Sequence, residues 1–202
     1  MLATACGPEQ AAISHNRLGN VLYDKGQIDD AIAEYRKAIV LDPNFAAAHA
    51  NLGDALRATG ELDEAIAEYR KAIELDPNLL LTHNNLGLAL QDKGELDDAI
   101  AEYRKAIELD PTYPDAHYNL GNALQPKGQL DEAIAEYRKA IELDPNLALA
   151  HNNLGLALSG KGQLDAAVTQ FRKAIELDPN FALAKANLEK ALRSQESRNR
   201  EQ

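Results

Sequence analysis

Histidines recur at one interval: His15, His49, His83, His117 and His151 stand 34 residues apart. Imidazole is the commonest metal ligand among side chains, so a metal centre is the first chemistry to weigh. Packed helices lie about 8–10 Å apart, whereas two zinc ligands each sit about 2.0–2.1 Å from the ion. Histidines one interval apart therefore do not share a metal, and the expectation is half-buried packing groups with no metal and no cofactor. Burial lowers a histidine pKa, so acid is expected to weaken the fold. The serines Ser14, Ser159, Ser194 and Ser197 follow no nucleophile motif, and the glycines form no phosphate-cradling loop. Paired acids such as Asp97–Asp98 recur where a helix would start. Nothing in these patterns points to an enzyme. Amides remain: "THNNLGLAL" at 82–90 is nearly repeated as "AHNNLGLAL" at 150–158. Asparagine is a mediocre helix former, yet its amide carries donors and an acceptor that together can answer a peptide bond.

The 202-residue chain carries a formal net charge of −11. Nucleic acid and anionic membrane surfaces attract clustered Lys and Arg, so neither is an expected partner. Basic or neutral partners remain open. No apolar run approaches the roughly 20 residues that span a bilayer. Cys6 is the lone cysteine, so no internal disulfide forms. The opening "MLATACG" resembles the end of a bacterial lipoprotein signal, but Ala3 stands where that signal expects Leu, and the charged start and apolar core are missing. A cytoplasmic location is expected. The alternative is a periplasmic or membrane-anchored lipoprotein, if Cys6 follows a removed signal peptide.

The elements that place these residues follow the same interval. Asp-Pro stands at Asp42–Pro43, Asp76–Pro77, Asp110–Pro111, Asp144–Pro145 and Asp178–Pro179, and Gly26, Gly60, Gly94, Gly128 and Gly162 keep step. A 34-residue period denotes a solenoid of stacked units. Each unit reads as two helices. Leu52, Ala55 and Leu56 mark one face of the first, Gly60 suits a left-handed helix end, and Asp63 and Glu64 favour the start of the second. The second buries Ala65, Ile66, Tyr69, Ala72 and Ile73; Pro77 stops it and Asn78 is placed to cap the next helix. Gly53, Ala65 and Ala72 let the two helices approach closely around Tyr69. Pro126, in "LQPKGQ", is expected to distort the last turn of its helix.

Leu52–Gly53, Ala65, Tyr69 and Pro77, with their equivalents in every unit, resemble the tetratricopeptide repeat pattern. The resemblance departs from the pattern in one consistent way, with histidine in the tryptophan slot and leucine in the tyrosine slot. It implies an all-α, right-handed superhelical solenoid of five helix-turn-helix repeats over 12–45, 46–79, 80–113, 114–147 and 148–181. A C-terminal capping helix covers 182–195, residues 1–11 form an N-terminal extension and 196–202 a flexible tail. Glu189 replaces the packing glycine in the capping helix, where no second helix follows.

In this family the first helices line a concave groove. By that resemblance Asn51, Asn85, Asn119, Asn153 and Asn187 form one groove row, with Arg17 in the first slot and Asn20, Asn84, Asn122 and Asn152 beside it. The row resembles the asparagine ladder of the O-linked N-acetylglucosamine transferase superhelix, which grips peptide backbone. The family's carboxylate clamp needs Lys and Asn on one first helix, Asn on the next, and Lys and Arg on the third; Asn16, Asn20, Asn51, Leu81 and Asn85 stand there, so the cations are missing and a free carboxylate is not the expected ligand. Leu81 and Leu88 share one helical face, as do Leu149 and Leu156, which predicts two apolar patches two repeats apart. With about 8–10 Å per repeat and about 3.3 Å per extended residue, ligand anchors fall about five or six residues apart. Arg17, Asp54, Arg57, Asp92, Asp115 and Lys190 carry both signs and are expected to bias ligand direction only weakly. The sequence thus predicts a non-enzymatic scaffold for extended peptide segments of a protein partner, mostly monomeric with weak end-to-end association. Alternatives are an assembly module acting through its convex face or ends, or a fragment of a larger enzyme or lipoprotein.

Overall fold

A computed structural model describes residues 7–200; Cys6 and the signal-like opening lie outside them. Eleven helices run in order among the described residues: α1 (Pro8–Asp24), α2 (Ile28–Leu41), α3 (Ala46–Thr59), α4 (Leu62–Leu75), α5 (Leu80–Asp92), α6 (Leu96–Leu109), α7 (Pro114–Leu124), α8 (Leu130–Leu143), α9 (Ala148–Gly160), α10 (Leu164–Leu177) and α11 (Ala182–Arg200). There is no strand among those residues. Two compact units divide the chain between Leu109 and Asp110. In the first, α1–α2, α3–α4 and α5–α6 are antiparallel hairpins, and each second helix packs on the first helix of the next. In the second, α7–α8 and α9–α10 repeat that order and α11 closes on α10 and α9.

One contact builds every hairpin. A Cβ on Gly53 would lie 2.7 Å from the Tyr69 ring, and one on Gly19 2.4 Å from Tyr35. Gly87 meets Tyr103, Gly121 meets Tyr137 and Gly155 meets Phe171 in the same way. Small residues flank each ring: Ala65, Ala72 and Tyr69 are all fully buried. Gly60 closes α3 at φ 86°, a left-handed conformation open to glycine at little cost.

Several local expectations are revised. Asn78 does not cap α5, whose N-cap is Leu79 with no side-chain bond. Instead Asp76 Oδ1 accepts the Asn78 backbone N–H at 3.0 Å, turning the chain sharply after Pro77. Helix α7 ends at Leu124, two residues ahead of its counterpart α9, because Pro126 has no N–H for the next bond. Helix α1 begins at Pro8, inside the expected extension. Helix α11 continues through Arg200 rather than ending at 195, because its later turns are tethered to α10. Gln195 donates to Asp165 at 2.5 Å, and Arg198 reaches the Gly162 carbonyl at 3.4 Å.

Gly53→Ala is expected to destabilise the protein despite gaining about 1 kcal/mol of helix propensity, since overpacking against a fixed ring costs about 1–3 kcal/mol. A net loss of about 1–2 kcal/mol lowers the melting temperature by a few degrees in a chain of this size. Denaturant melts check this, and Gly53→Ala/Tyr69→Leu should lose less than the sum of the single changes.

Candidate functional site

Each buried tyrosine ring carries a hydroxyl, and the sequence supplies it an acceptor from the preceding helix. Tyr35 donates to Asn20 Oδ1 at 2.8 Å, and the Asn51 amide donates to the same oxygen at 3.0 Å. Tyr69 and Asn85 meet on Asp54 Oδ1 at 2.7 and 2.8 Å. In the second unit Tyr137 and Asn153 meet on Asn122 Oδ1 at 2.9 and 2.8 Å. Each such node joins a second helix to two successive first helices. The rings feel it electrostatically. Burial, helped by the Asp54 charge, pushes the Tyr35 hydroxyl up to about 12. Burial also raises the Asp54 carboxyl, against the pull of the Tyr69 and Asn85 hydrogen bonds.

The expected amide row is therefore partly internal. Asn51, Asn85, Asn153 and Asn187 are half-exposed, and Asn20 and Arg17 are exposed. Asn122 is half-exposed and Asn119 is buried. Asn84 and Asn152, expected to face a ligand, are 4% and 1% exposed, because the next position round a helix turns inward. Asn152 Oδ1 accepts the Asn187 amide at 2.9 Å, and its own amide donates to Asn153 at 3.0 Å. That explains the doubled asparagine. Asn51 donates to both Asn16 and Asn20, and Asn153 to both Tyr118 and Asn122. Where the second acceptor slot holds Leu156, the first holds Asn152; the same exchange stands at Asn84 and Leu88. Leucine accepts nothing, so the amide moves one turn back.

The leucines divide. Leu81 and Leu149 are 60% and 49% exposed, each in its own unit, while Leu88 and Leu156 are half-buried. Hollows open beside the nodes. In the first unit one of about 240 Å³ is lined by Asn20, Tyr23, Asp24, Tyr35, Asn51 and Asp54. A neighbour of about 410 Å³ shares Asn51 and Asp54 and adds Ala47, Ala50, Leu79, Leu80 and Leu81. The second unit repeats the first hollow's positions with Asn122, Gln125, Pro126, Tyr137, Asn153 and Leu156. Sequence reading missed the tyrosine hydroxyls. The signal was present: polar Asn20, Asp54 and Asn122 stand 15 residues before Tyr35, Tyr69 and Tyr137, whereas Leu156 stands 15 before Phe171, which has no hydroxyl. Tyr103, paired with Leu88, turns to Gln91 at 3.3 Å instead.

The histidines face hydrogen-bonding partners from two directions. No group of three or more His, Cys, Asp or Glu able to hold an ion occurs among the described residues. His83 Nδ1 lies 2.7 Å from Glu102 and its Nε2 3.1 Å from the Pro77 carbonyl. His117 lies 2.6 Å from Glu136 and 3.1 Å from the Pro111 carbonyl. His49 repeats the pattern with Glu68, while His151 meets the neutral Gln170. Four of the five are buried outright rather than half-buried.

Successive helix hairpins with a polar first-helix face define a helical repeat protein. The chain belongs to the tetratricopeptide repeat family: the TPR repeat profile matches 19–57, 53–94, 89–128 and 126–162, and the Tetratricopeptide repeat profile matches 148–181. That family consists of protein-interaction scaffolds, and no catalytic family is indicated. Among solved structures, MamA is similar at 35% identity and TM-score 0.75, over 81% of this chain and 96% of that chain. YrrB, a TPR protein with an unusual peptide-binding site, is similar at 27% identity and TM-score 0.75, over 87% and 90%. PilF of Pseudomonas aeruginosa, at 23% identity and TM-score 0.83 over 96% and 88%, shares the fold. No curated protein sequence matches the chain.

Beside His83 and His117 the carboxylates act against burial, opposite to the expected direction. Burial alone pushes the His83 imidazole down, but the Glu102 hydrogen bond and the Pro77 carbonyl outweigh it, and its pKa stands above the usual value despite Lys105. For His117 the Glu136 bond is the largest influence; burial and Lys139 oppose it, and the pKa is again raised. A group whose pKa is higher folded than unfolded adds stability that is full below the unfolded value, about 6.5. That stability fades as pH rises through the folded value. The gap in melting temperature between wild type and His83→Gln/His117→Gln is therefore expected to widen from pH 8.5 to pH 6. A gap that narrows over that range would restore the expectation of acid weakening.

Proposed function

We propose that the protein binds extended peptide segments of a partner protein along the face of its first helices, without catalysis. The observation that carries this reading is the half-exposed amide series Asn51, Asn85, Asn153 and Asn187 beside hollows in each unit. Both hydrogens of the Asn51 amide are engaged, toward Asn16 and Asn20, as are both of Asn153, toward Tyr118 and Asn122. What Asn51 offers a ligand is therefore its oxygen, and Asn153 offers the second lone pair of an oxygen that already accepts from Asn152; either can accept a peptide N–H. With Asp24 and Asp54 alongside and a net charge of −11, the face favours segments rich in donors, neutral or basic rather than acidic. Exposed Leu81 and Leu149 supply apolar contact within their own units.

A second reading has its own observation. Leu18 and Val21 are 46% and 47% exposed, whereas their counterparts Leu52 and Ala55 are 2% and 0% exposed under the preceding repeat. Those exposed apolar side chains support weak end-to-end association of chains.

Random-peptide selection against wild type and Asn51→Ala/Asn85→Ala/Asn153→Ala tests the first reading, with melts confirming that the variant is folded. The triple variant is expected to weaken selected peptides at least tenfold. Unchanged binding would move the site to another face. For the second reading, Leu18→Ser/Val21→Ser is expected to abolish any concentration-dependent growth in sedimentation coefficient; growth that persists assigns association elsewhere.

A further inference from the structure

Asp54 differs from the other shared acceptors in carrying a charge. Asn20 and Asn122 stand at the equivalent positions and hold the same pair of hydrogen bonds with a neutral amide oxygen. A carboxylate costs more to bury than an amide, so the node itself does not need the charge. Both donors to Asp54, Tyr69 and Asn85, fall on Oδ1 at 2.7 and 2.8 Å. No hydrogen bond falls on Oδ2 among the described residues, where the Ser159 hydroxyl is the one covered side-chain polar atom without a partner, so Oδ2 is open. The cation that acts on Asp54, Arg57, is itself engaged by Asp92 at 3.1 Å. Asp54 lines both hollows of the first unit. Asp24 adds a second carboxylate to the smaller, while Ala47, Ala50, Leu79, Leu80 and Leu81 give the larger, of about 410 Å³, an apolar wall. In the second unit the hollow at the smaller one's positions carries Pro126 and Leu156 where Asp24 and Asp54 stand.

We infer that the larger hollow is a subsite for one lysine side chain of the bound peptide, its methylene stem along the alanine and leucine wall and its ammonium on Asp54 Oδ2; the inference rests on the peptide-binding reading above. A lysine buries an apolar stem while its head seeks a polar partner, which matches a wall of aliphatic groups ending at a carboxylate. The bond is charge-assisted and therefore stronger than one between neutral groups. An aliphatic side chain would cover the same wall and leave the half-buried carboxylate without a partner, a cost that the ammonium removes. Arginine fits less well. Its planar fork is matched to two carboxylate oxygens, and Oδ1 already accepts two donors. Burial holds the Asp54 carboxyl above its usual value, and a cation at Oδ2 opposes that rise. Asp24 adds negative potential in the neighbouring hollow.

The test uses the full chain. Nα-acetyl-lysine methylamide is titrated while methyl NMR signals of Ala47, Ala50, Leu79, Leu80 and Leu81 are followed. Its norleucine counterpart has the stem without the ammonium, and its arginine counterpart has a fork in place of the point charge. Saturable shifts confined to those methyls are expected, with lysine bound about tenfold more tightly than norleucine and more tightly than arginine. Asp54→Asn installs the residue that stands at 20 and 122, so it keeps the node and removes the charge, and melts confirm that it is folded. It should lower lysine affinity to that of norleucine and leave norleucine unchanged. Lysine bound no more tightly than norleucine, lysine affinity unchanged in Asp54→Asn, or arginine bound more tightly than lysine overturns the subsite. Peptides selected on wild type should share a lysine, and its replacement by norleucine should weaken them about tenfold. If selected peptides lose affinity in the triple asparagine variant but not in Asp54→Asn, the subsite is wrong and the peptide-binding face stands. If they are indifferent to both, the peptide-binding reading itself fails.

Discussion

The structure depends on a single steric constraint, the contact between a first-helix glycine and an aromatic ring 16 residues later, as between Gly53 and Tyr69. A Cβ at the glycine would overlap the ring, so the two helices are held closer than ordinary side chains allow. The alanines about the ring serve the same closeness. Because the ring is wholly buried, its hydroxyl has few places to go. In three repeats it donates to a polar residue on its own first helix, as Tyr69 does to Asp54, and there the polar organisation of the molecule begins.

That organisation is a set of shared acceptors. Asn20, Asp54 and Asn122 each receive a tyrosine hydroxyl from their own repeat and an amide from the following one. The bonds are partly shielded and mutually dependent, which makes them costlier to break than isolated surface pairs. They also decide what the first-helix face can offer. Both amide hydrogens of Asn51 and of Asn153 are engaged within their units, as is one each of Asn85 and Asn187. On the proposed peptide-binding reading such a face meets donors with little regard to sequence, because every peptide bond except proline's carries an N–H.

The histidines show why burial alone is a poor guide to titration. Removal from water lowers an imidazole's pKa, but His83 and His117 each face a carboxylate and a carbonyl, so both ring nitrogens can donate at once. The charged form is the one that satisfies both partners. These groups fasten a first helix to its second helix and to the preceding Asp-Pro loop, in the slot where the family's pattern places an indole.

Much of the molecule was legible in its sequence. The 34-residue interval, the Leu-Gly and Asp-Pro landmarks and the glycine turns fixed the helix hairpins and their order, because backbone preference and apolar period are local properties. Gly53 opposite Tyr69 could be anticipated from the need for close approach. Local signals also misled: Asn78 looked like a cap, but the N-cap position of α5 falls on Leu79, whose side chain has no acceptor. What the tertiary structure alone decided was the direction and satisfaction of polar groups. Asn84 and Asn85 are adjacent and identical in type, yet one turns into the stack and the other toward its edge. The partners of His83 lie 19 residues ahead and 6 behind, and their combined effect raised a pKa that burial alone would have lowered. Hydrogen bonds and titration depend on distances of a few tenths of an ångström between residues far apart in sequence, and no local pattern encodes them.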